Sequence, residues 1–587
     1  MKTNTLILIS LTALSQTARA QGSHKAGDPI PHSADVIANK ASAPYTTSVL
    51  PSDHPNIAAF RERRFGMFIH WGPVSLKGTE IGWSRAGQRV DRKENITLGV
   101  PADEYDHLYE RFNPVKFNAD EWVTIAKAAG MKYVVLIVKH HDGFCMYDSA
   151  LTDYTIMHTP FKRDVTAELA TACRKAGLSF GIYYSPPDWH HPDFFTKNHA
   201  RYLDYFHGQM REILTKYGPI DEIWFDADGG VNTPETWNNA TLFPMVRKLQ
   251  PQAVITTRCG GWGVWEWGDF NTPEQRVGAF DNIRPWETVM TICAQWSWRP
   301  NDRLKSLGQC VRTLLSVVGG DGNLLFNVGP TPEGEIEARQ VTRLKEMGTW
   351  VTKHAGSIYG TRGGPFKPGR WGVSTHRDQR ITLFVYQWPA NGRLQLPAIP
   401  AKITAATTIN GTKVAVENTA ADFTIVAPPE SERDPIATAI VLTLDSPALA
   451  IPVCDQASLF PNLCLNKKVT ASNVYKNYPT YNAGRAVDDN DASRWATDEG
   501  VTEAWLAVDL GTLQTVSKAF VNEAFVKVRR FAIEVQTGDT WKTVATGEGI
   551  GPGREIIFPQ LVRGQIFRLH ILDSVDGPTI NEFQLFH

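Results

Sequence analysis

The stretch KYVVLIVKHHDGFCMYDS, residues 132–149, joins a long apolar run to a cluster of polar side chains. A continuous run of β-branched and other apolar residues is typical of a strand that is buried on both faces. The run ends at His140, His141 and Asp142, with a bend at Gly143. The strand therefore delivers two imidazoles and a carboxylate to one place, which suits a metal site, a proton relay or a sugar pocket.

Similar apolar runs recur between residues 55 and 365 and alternate with helical patterns. The other runs begin near residues 65, 178, 220, 253 and 322, and apolar residues three or four apart mark 118–130, 164–177, 197–217 and 304–319. This alternation predicts parallel strands buried under helices, and the length favours a (β/α)8-like barrel. A Rossmann-type open sheet is the alternative, but no G-x-G-x-x-G follows the first run.

Polar and aromatic side chains gather where these runs end. They are His70 and Trp71, His140 and His141, Tyr183, Trp224 and Asp226, and Arg258. The carboxyl ends of all strands of a parallel barrel lie on one face, and active sites of barrel enzymes are built there. These side chains are therefore expected to line a common pocket.

Two carboxyl groups in such a pocket would allow glycoside hydrolysis. Asp226 is the first candidate because it ends an apolar run beside Trp224, although capping of the next helix is an alternative role. The second is Glu274 or Glu287, both expected on long loops that reach over the pocket. Glu287 follows Trp286 in an apolar setting that would raise its pKa, as a general acid requires, whereas Glu274 lies in a more polar loop, and both stay candidates on these grounds.

Composition limits the classes of partner. The 587 residues carry a formal charge of -1, which argues against nucleic acid and against a basic membrane-surface protein. The 18 tryptophans favour carbohydrate binding, since indole faces stack on sugars, although well-filled cores would account for the same count. Histidines can also bind metal, but no HExxH or other dense ligand spacing is present, and no metal is predicted.

The N-terminus predicts a secreted, extracellular protein. Residues 1–20 combine Lys2, the apolar stretch LILISLTAL and a small-x-small site ending at Ala20, which is the pattern of a signal peptide. N-x-S/T sequons agree with that route; they begin at Asn95, Asn239 and Asn410. No later stretch is long and apolar enough to span a membrane.

The chain divides into segments that differ in composition and in the periodicity of their apolar residues. We expect an irregular segment at 21–54, the barrel at 55–365, a small antiparallel β-sandwich at 366–447, a linker at 448–465 and a second β-sandwich at 466–587. Cys454 and Cys464 flank a short Pro-containing segment of the linker, and a disulfide is expected between them.

The barrel region resembles glycoside hydrolase family 29, the α-L-fucosidases. The matching stretches are FGMFIHWGP (65–73), KHHDGFCMYDS (139–149), FGIYYSPPDW (180–189), IDEIWFDADGG (220–230) and GNLLFNVGPTPEGEI (322–336). The resemblance implies a barrel enzyme that releases terminal α-L-fucose from glycans or oligosaccharides with retention of configuration. It implies no metal or organic cofactor for the chemistry.

The resemblance also implies roles for individual residues. Asp226 would be the nucleophile and Arg258 would support the site. The residues expected to contact the sugar are His70, Trp71, Trp83, His140, His141, Tyr183 and Trp224. For the acid/base, Glu274 matches one branch of the family and Glu287 another, with Glu287 preferred. Two other classes stay open: a carbohydrate-binding protein whose barrel has lost catalysis, and a metal-dependent hydrolase built on the histidines.

Residues 466–587 resemble a discoidin module, also called coagulation factor 5/8 type C, through AVDDNDASRWAT, AWLAVDLG and INEFQLF. Such modules often bind carbohydrate, and they can hold a structural Ca²⁺ through acidic loop residues. Asp488, Asp489 and Asp491 lie in a loop of that kind. Nothing in the sequence indicates an oligomeric state.

Overall fold

A computed structural model describes residues 49–86, 99–227, 232–260, 266–389, 391–454, 462–489, 493–551 and 553–587. The chain forms two compact units, Met1–Asp455 and Gln456–His587. The signal peptide predicted at 1–20, most of the segment 21–54, Asn95 and Asp491 lie outside the described residues.

The first unit contains the predicted barrel, whose strands are all parallel. They are β1 (Phe65–Ile69), β2 (Tyr133–Lys139), β3 (Ser179–Tyr184), β4 (Glu222–Phe225), β5 (Val254–Ile255), β6 (Glu287–Thr291) and β7 (Asn323–Val328). Their order in the sheet is β5-β4-β3-β2-β1-β7-β6. Strand β2 is fully buried along its length, because helices cover the outside of the sheet and side chains fill the inside.

An eighth segment, residues 270–274, bridges the two edge strands of this sheet. Thr256, which follows β5, pairs with Phe270, and Glu274 pairs in parallel with Val289 of β6. The backbone N–H of Gln275 donates to the Val289 carbonyl at 2.9 Å. With this segment the sheet completes a (β/α)8-like barrel, as the sequence predicted.

Helices pack around the barrel. They are α1 (Pro55–Arg63), α2 (Ala102–Asp106), α3 (Ala119–Ala128), α4 (Val165–Ala176), α5 (His199–Lys216), α6 (Asn239–Leu249), α7 (Leu307–Gly319) and α8 (Ala338–His354). Their ends are set by local chemistry. Asp164 caps α4 by accepting from the Ala167 N–H at 2.9 Å, and Gly177 ends that helix in the left-handed region at φ 72°. Among the described residues, no helix combines the length and apolar character needed to cross a bilayer.

The core of the barrel unit has two layers, and the alternation of strand side chains assigns residues to them. In β2, Val135 and Ile137 join the inner cluster, whereas Leu136 and Val138 join the outer cluster beneath the helices. A polar residue at the carboxyl end of a strand therefore reaches the pocket only if its side chain points to the inside of the barrel.

Two antiparallel sheets follow the barrel in the same unit. The larger has the order β12-β15-β10-β9-β8 and the smaller β11-β14-β13. Their strands are β8 (Arg362–Gly363), β9 (Gly372–Arg377), β10 (Arg380–Val385), β11 (Arg393–Pro397), β12 (Ile403–Thr408), β13 (Val416–Asn418), β14 (Asp422–Val426) and β15 (Thr438–Leu444). Leu394, Leu396 and Ile425 of the smaller sheet are fully buried, as the predicted sandwich requires.

The second unit is an antiparallel β-sandwich. Its strands are β16 (Lys468–Ala471), β17 (Trp495–Ala496), β18 (Ala504–Glu523), β19 (Val528–Thr537), β20 (Thr540–Glu548), β21 (Arg554–Ser574) and β22 (Thr579–Phe586). The order is β17-β22-β18-β21-β19-β20, with β16 paired to β18. Register shifts interrupt the pairing of β18 with β21, so these long strands bend as they cross the sandwich.

The disulfide predicted between Cys454 and Cys464 is wrong. Cys464 is a buried thiol in the hydrophobic core of the second unit. Cys454 belongs to the first unit, where it pairs with Phe366. Proximity in sequence suggested the bridge, but the two cysteines belong to different units.

Candidate active site

Asp226 directly follows β4 and is held by two neighbours. Tyr183 of β3 donates its hydroxyl to Asp226 Oδ2 at 2.8 Å, and Arg258 Nη1 donates to Oδ1 at 3.1 Å. The carboxylate keeps 14% of its side chain exposed, whereas the guanidinium keeps only 3%. A buried cation and a buried hydroxyl therefore orient a carboxylate that still faces open space.

Glu274 binds the same guanidinium as Asp226. Arg258 Nη2 donates to Glu274 Oε2 at 2.9 Å, and the Glu274 side chain is 36% exposed. Thr272 fixes the guanidinium by accepting from its Nε at 2.6 Å. Because Thr272 and Glu274 both belong to the closing segment 270–274, this segment completes the barrel and also places the second carboxylate.

Three histidines lie beside this pair, and all three are buried. Asp226 acts electrostatically on both His70 and His140, which places these two imidazoles around the nucleophile candidate. The rings of His140 and His141 are 4.3 Å apart, and His140 lies parallel to the Tyr183 ring at 5.5 Å. The pocket predicted from the strand ends therefore brings together Asp226 and the imidazoles.

Hydrogen bonds define the tautomers of two of these histidines. The amide nitrogen of Asn327 donates to the Trp296 carbonyl, so Asn327 Oδ1, 2.5 Å from His70 Nδ1, accepts a hydrogen bond from the Nδ1–H of that ring. Ser185 donates to the Pro187 carbonyl at 2.6 Å and therefore accepts from His141 Nδ1 at 2.6 Å. Burial lowers the pKa of His70 well below its ordinary value, so this imidazole is neutral and its Nε2 is an acceptor.

The two adjacent histidines share one region because the backbone departs from regular strand geometry. The register between β2 and β3 shifts after Ile137, and Gly143 adopts φ 82° in the turn that follows. A Cβ at Gly143 would lie 2.3 Å from Asp188 Oδ1, and one at Gly82 would lie 2.5 Å from His140 Nδ1. Glycine is therefore required at both places where the chain closes on the histidines.

Aromatic rings line the rim of the pocket. Trp83 meets the rings of His141 at 4.9 Å and Trp189 at 5.0 Å, both edge-on. On the other side Trp296 lies 4.7 Å from His70. Trp83 was expected from the sequence, but Trp189 and Trp296 were not assigned, although both lie in Trp-containing stretches beside expected strand ends.

Two predicted pocket aromatics lie elsewhere. Trp71 packs in the outer layer, 5.1 Å from Trp122 of α3, and donates to the Thr331 carbonyl. It follows His70 in sequence, and adjacent strand residues point to opposite faces, so only the histidine reaches the pocket. The Trp224 side chain points to the inside of the barrel, but it is only 1% exposed. It lies beneath Arg258, with the guanidinium carbon 5.2 Å from the ring centroid. It supports the pocket from below rather than lining it.

The expectation that Glu287 lies on a loop above the pocket is wrong. It is the first residue of β6 and is fully buried inside the amino end of the barrel. Tyr133, the first residue of β2, donates its hydroxyl to one carboxylate oxygen, and the Trp224 indole donates to the other at 2.8 Å. The apolar setting does raise the pKa of Glu287, to about 7, but at the wrong end of the barrel.

Glu80 is a further acid near the pocket, and it is not among the residues predicted from the sequence. It accepts from the backbone N–H groups of Trp296 at 2.9 Å and Ser297 at 3.2 Å. Burial raises its pKa to about 7, and Glu274 adds to that rise. Only its position between β1 and the Trp83 loop, in the stretch KGTEIGW, could have indicated it.

The described residues offer little for a metal ion. Within those ranges, no three His, Cys, Asp or Glu side chains are grouped so that they could hold one. In the second unit, Asp488 accepts from Ser493 Oγ at 2.7 Å and Asp489 accepts from Gln584 Nε2 at 2.8 Å. These two carboxylates bind protein donors, and the calcium site suggested by the resemblance stays a prediction.

Similarity to known proteins agrees with this geometry. A family model described as alpha-L-fucosidase matches residues 33–356, and one described as a NedA-like, galactose-binding domain matches residues 485–569. The chain is 31% identical to a plasma alpha-L-fucosidase of Rattus norvegicus over 58% of this chain and 80% of the relative. It is 24% identical to a putative alpha-L-fucosidase 1 of Oryza sativa subsp. japonica over 95% of this chain and 90% of the relative.

Solved structures are similar as well. Alpha-L-fucosidase isoenzyme 1 from Paenibacillus thiaminolyticus has a TM-score of 0.61 and 35% identity, with 67% of this chain and 99% of that chain covered. An α-L-fucosidase from Bacteroides thetaiotaomicron, trapped as a covalent intermediate, has a TM-score of 0.62 and 26% identity, with 69% of this chain and 100% of that chain covered.

A parallel barrel whose strand ends present two carboxyl groups beside buried imidazoles is the arrangement of a glycoside hydrolase. The chain belongs to the α-L-fucosidases, glycoside hydrolase family 29, and it carries a galactose-binding-type module of the factor 5/8 type C class at its C-terminus. The predicted enzyme class is confirmed.

Proposed function

We propose that the protein is a secreted, retaining exo-α-L-fucosidase in which Asp226 is the nucleophile and Glu274 is the acid/base. The observation that carries the assignment is the shared guanidinium: Asp226 and Glu274 accept from the two terminal nitrogens of Arg258. Retaining enzymes place their carboxyl groups about 5–5.5 Å apart, and groups bound to adjacent nitrogens of one guanidinium suit such a short separation.

In the first step, an Asp226 oxygen attacks the anomeric carbon while the bond to the leaving oxygen breaks. Glu274 gives its proton to that oxygen, so the aglycone leaves as an alcohol. In the second step, the Glu274 carboxylate takes a proton from water, the water oxygen attacks the anomeric carbon, and Asp226 is released. Two inversions give net retention.

The shared cation couples the two carboxyl groups, since Arg258 donates to both. When Asp226 becomes an ester it loses its charge, and in the second step the guanidinium is left to Glu274.

The imidazoles suit recognition of sugar hydroxyls. Burial lowers the pKa of His70 and of His140, so both rings are neutral, and a neutral imidazole has one nitrogen that accepts a hydrogen bond. Trp224 and Arg258 are buried beneath the two carboxyl groups, and a site closed at that end favours exo action on the terminal sugar of fucosylated glycans or oligosaccharides. The chemistry needs neither a metal nor an organic cofactor.

Replacing Asp226 with Gly tests the assignment. We expect kcat on 4-nitrophenyl α-L-fucoside to fall by at least about 10⁴-fold, because the covalent step is lost. Azide should restore turnover and yield the β-fucosyl azide, since one inversion then replaces two. Thermal unfolding should match that of the wild type, and EDTA should leave wild-type turnover intact. Near-normal activity of the variant would exclude Asp226 as nucleophile, and loss of wild-type turnover in EDTA would favour the metal-dependent alternative.

We further propose that the second unit binds carbohydrate through Arg494. The guanidinium lies against the rings of Tyr481 at 5.2 Å and Phe525 at 5.4 Å, and Phe525 is 53% exposed. An exposed ring beside a guanidinium can stack on a sugar and bind its hydroxyls, and the match to a galactose-binding family supports this role.

Arg494→Ala should therefore abolish retention on immobilised galactose while kcat on 4-nitrophenyl α-L-fucoside stays within about twofold of the wild type. Retention equal to that of the wild type would show that Arg494 is not the binding group. Arg530→Ala, which removes an exposed arginine of β19, serves as the matched control.

Secretion is proposed from the signal-peptide pattern of residues 1–20. The described sequons differ in access: Asn410 is exposed, whereas Asn239 is fully buried and donates to the Cys259 carbonyl at 2.8 Å. If the chain is glycosylated, Asn410 is the acceptor of these two.

A further inference from the structure

A second pair of carboxyl groups lies inside the barrel, at the opposite end from the pocket. Glu222 begins β4 and is 1% exposed, and Glu287 begins β6 and is 0% exposed. Burying two acids is costly unless they are paired and hydrogen-bonded. The reaction proposed above uses neither of them, so their presence calls for another role.

The two carboxyl groups lie close together, because both accept from the Trp224 indole. Burial raises the pKa of Glu222 well above its ordinary value, and the neighbouring Glu287 adds to that rise. Close carboxyl groups of this kind resist being ionised together. The charged or titratable groups that face the pair are Arg63, 3.8 Å from Glu222, and the Tyr133 hydroxyl on Glu287; Arg63 also lies 3.6 Å from Asp221.

The indole of Trp224 connects this pair to the pocket. Its Nε1 donates to Glu222 at 3.0 Å and to Glu287 at 2.8 Å. The ring of Trp224 in turn lies 5.2 Å from the guanidinium carbon of Arg258, in cation–π geometry. Glu222, Trp224 and Asp226 are alternate residues, so they lie on one side of the strand and form a column from the amino end to the pocket.

We propose that Glu222 and Glu287 are positioning residues for catalysis, which fix the Trp224 indole and, through it, the Arg258 guanidinium that spaces Asp226 and Glu274. The inference rests on the proposed function. The pair touches no substrate and acts through two contacts in series. A shift of about 1 Å in catalytic groups can lower the rate by about 10²-fold. A side chain that fixes the guanidinium from below therefore affects the rate.

Glu287→Leu and Glu287→Gln test the proposal on 4-nitrophenyl α-L-fucoside. Leucine keeps the volume but cannot accept from the indole, so kcat should fall about 10- to 100-fold while KM changes less than about threefold. Glutamine keeps an acceptor for the indole and should retain kcat within about threefold. Equal kcat for the leucine variant and the wild type would overturn the proposal, and so would a loss as large in the glutamine variant.

A double-mutant cycle with Trp224→Phe keeps the proposal testable if the leucine variant folds poorly. Phenylalanine preserves a ring under Arg258 but donates no N–H to either glutamate. Because Glu287→Ala removes the acceptor and Trp224→Phe removes the donor of the same hydrogen bond, the double variant should lose no more kcat than the more impaired single variant. Multiplied losses would show that the glutamate does not act through the indole.

Gln340→Leu is the matched control for general damage, since Gln340 is a buried polar residue of α8 that contacts none of these groups. It should lower the melting temperature without changing kcat. Failure of this proposal can be told apart from failure of the proposed function. An inactive wild type, or an active Asp226→Gly variant, rejects the nucleophile assignment. A fully active Glu287→Leu variant beside an inactive Asp226→Gly variant rejects only the positioning role.

Discussion

The two ends of the barrel each hold a pair of carboxyl groups, and the pairs differ in every property that matters for chemistry. At the carboxyl end, Asp226 and Glu274 are 14% and 36% exposed and share a cation. At the amino end, Glu222 and Glu287 are buried and both accept from the Trp224 indole. Open space beside the first pair admits a substrate, whereas the second pair has none.

The difference shows that a raised pKa does not by itself identify a general acid. Burial raises the pKa of Glu287 to about 7, as the sequence suggested, yet no substrate can approach it. Perturbed carboxyl groups also occur in structural networks, so access to the reacting atoms decides between the two roles. Three experiments would sharpen or break this contrast.

The largest expected difference is between Glu274→Ala and Glu287→Ala. Removal of an acid/base costs about 10²–10⁴-fold, so Glu274→Ala should lower kcat/KM on a fucoside with a poor leaving group by at least about 10²-fold, with a smaller loss for an activated aryl fucoside. Glu287→Ala should show no such dependence on the leaving group. Measuring kcat/KM for both variants across aryl fucosides of different leaving-group pKa checks this.

Azide separates the two variants further. It should accelerate Glu274→Ala and give the α-fucosyl azide, because the covalent step with Asp226 remains and two inversions occur. A steep dependence on the leaving group in Glu287→Ala, together with none in Glu274→Ala, would reverse the assignment.

A smaller effect is expected on stability, with opposite pH dependence at the two ends. The folded-state pKa of Glu287 is about 7, above its ordinary value, so its cost to stability grows as pH rises from about 4.5 to about 7. Glu287→Gln should therefore gain in melting temperature relative to the wild type over that range, by about 2–4 °C per kcal/mol removed. Melting curves at pH 4.5, 6 and 7.5 measure the trend, and a difference that is constant with pH would contradict it.

The imidazoles at the carboxyl end of the barrel give the opposite dependence of stability on pH. The pKa of His70 is lowered in the folded state, so the unfolded chain binds a proton first and stability falls as pH drops below about 6.5. His70→Asn should lose less melting temperature than the wild type between pH 6.5 and pH 5. The same melting series serves both variants, and equal losses would argue against a buried neutral imidazole.

The smallest kinetic effect is expected at Trp71. It packs behind the sheet, so Trp71→Phe should lower the melting temperature by a few degrees and leave KM unchanged. Trp83→Phe is the matched variant on the pocket side and should raise KM by about two- to fivefold, since the smaller ring covers less of the sugar. A raised KM for Trp71→Phe would show that the outer layer shapes the pocket after all.

The parts of the site that the sequence predicted are those fixed by strand ends. Asp226, His140 and Arg258 follow apolar runs, and parallel strands bring their carboxyl ends to one face of a barrel. The errors arise where a shift of one residue along a strand decides whether a side chain points into the pocket or away from it. Trp71 is one position past His70 and points the opposite way, and Glu287 lies within a strand that was expected to be a loop.

The choice between the two candidate glutamates shows where the sequence becomes insufficient. Both follow Trp- or Phe-containing stretches between β5 and β6, and both are expected near the pocket on local grounds. The backbone bridges Thr256–Phe270, Asn271–Trp286 and Glu274–Val289 decide the matter. They place residues 270–274 in the last gap of the barrel, where Glu274 meets Arg258. Those bridges join segments that only closure of the sheet brings together.

The sequence by itself determined the class of barrel, the common face of its strand ends, the nucleophile candidate and the imidazoles around it. These follow from periodicity and from the residue types at the end of each run, which are local properties. Tertiary structure alone decided which glutamate meets the guanidinium, which tryptophans reach the pocket, and that a second acid pair supports it from below. The physical reason is that closure of a barrel sets distances between residues far apart in sequence, and those distances depend on register.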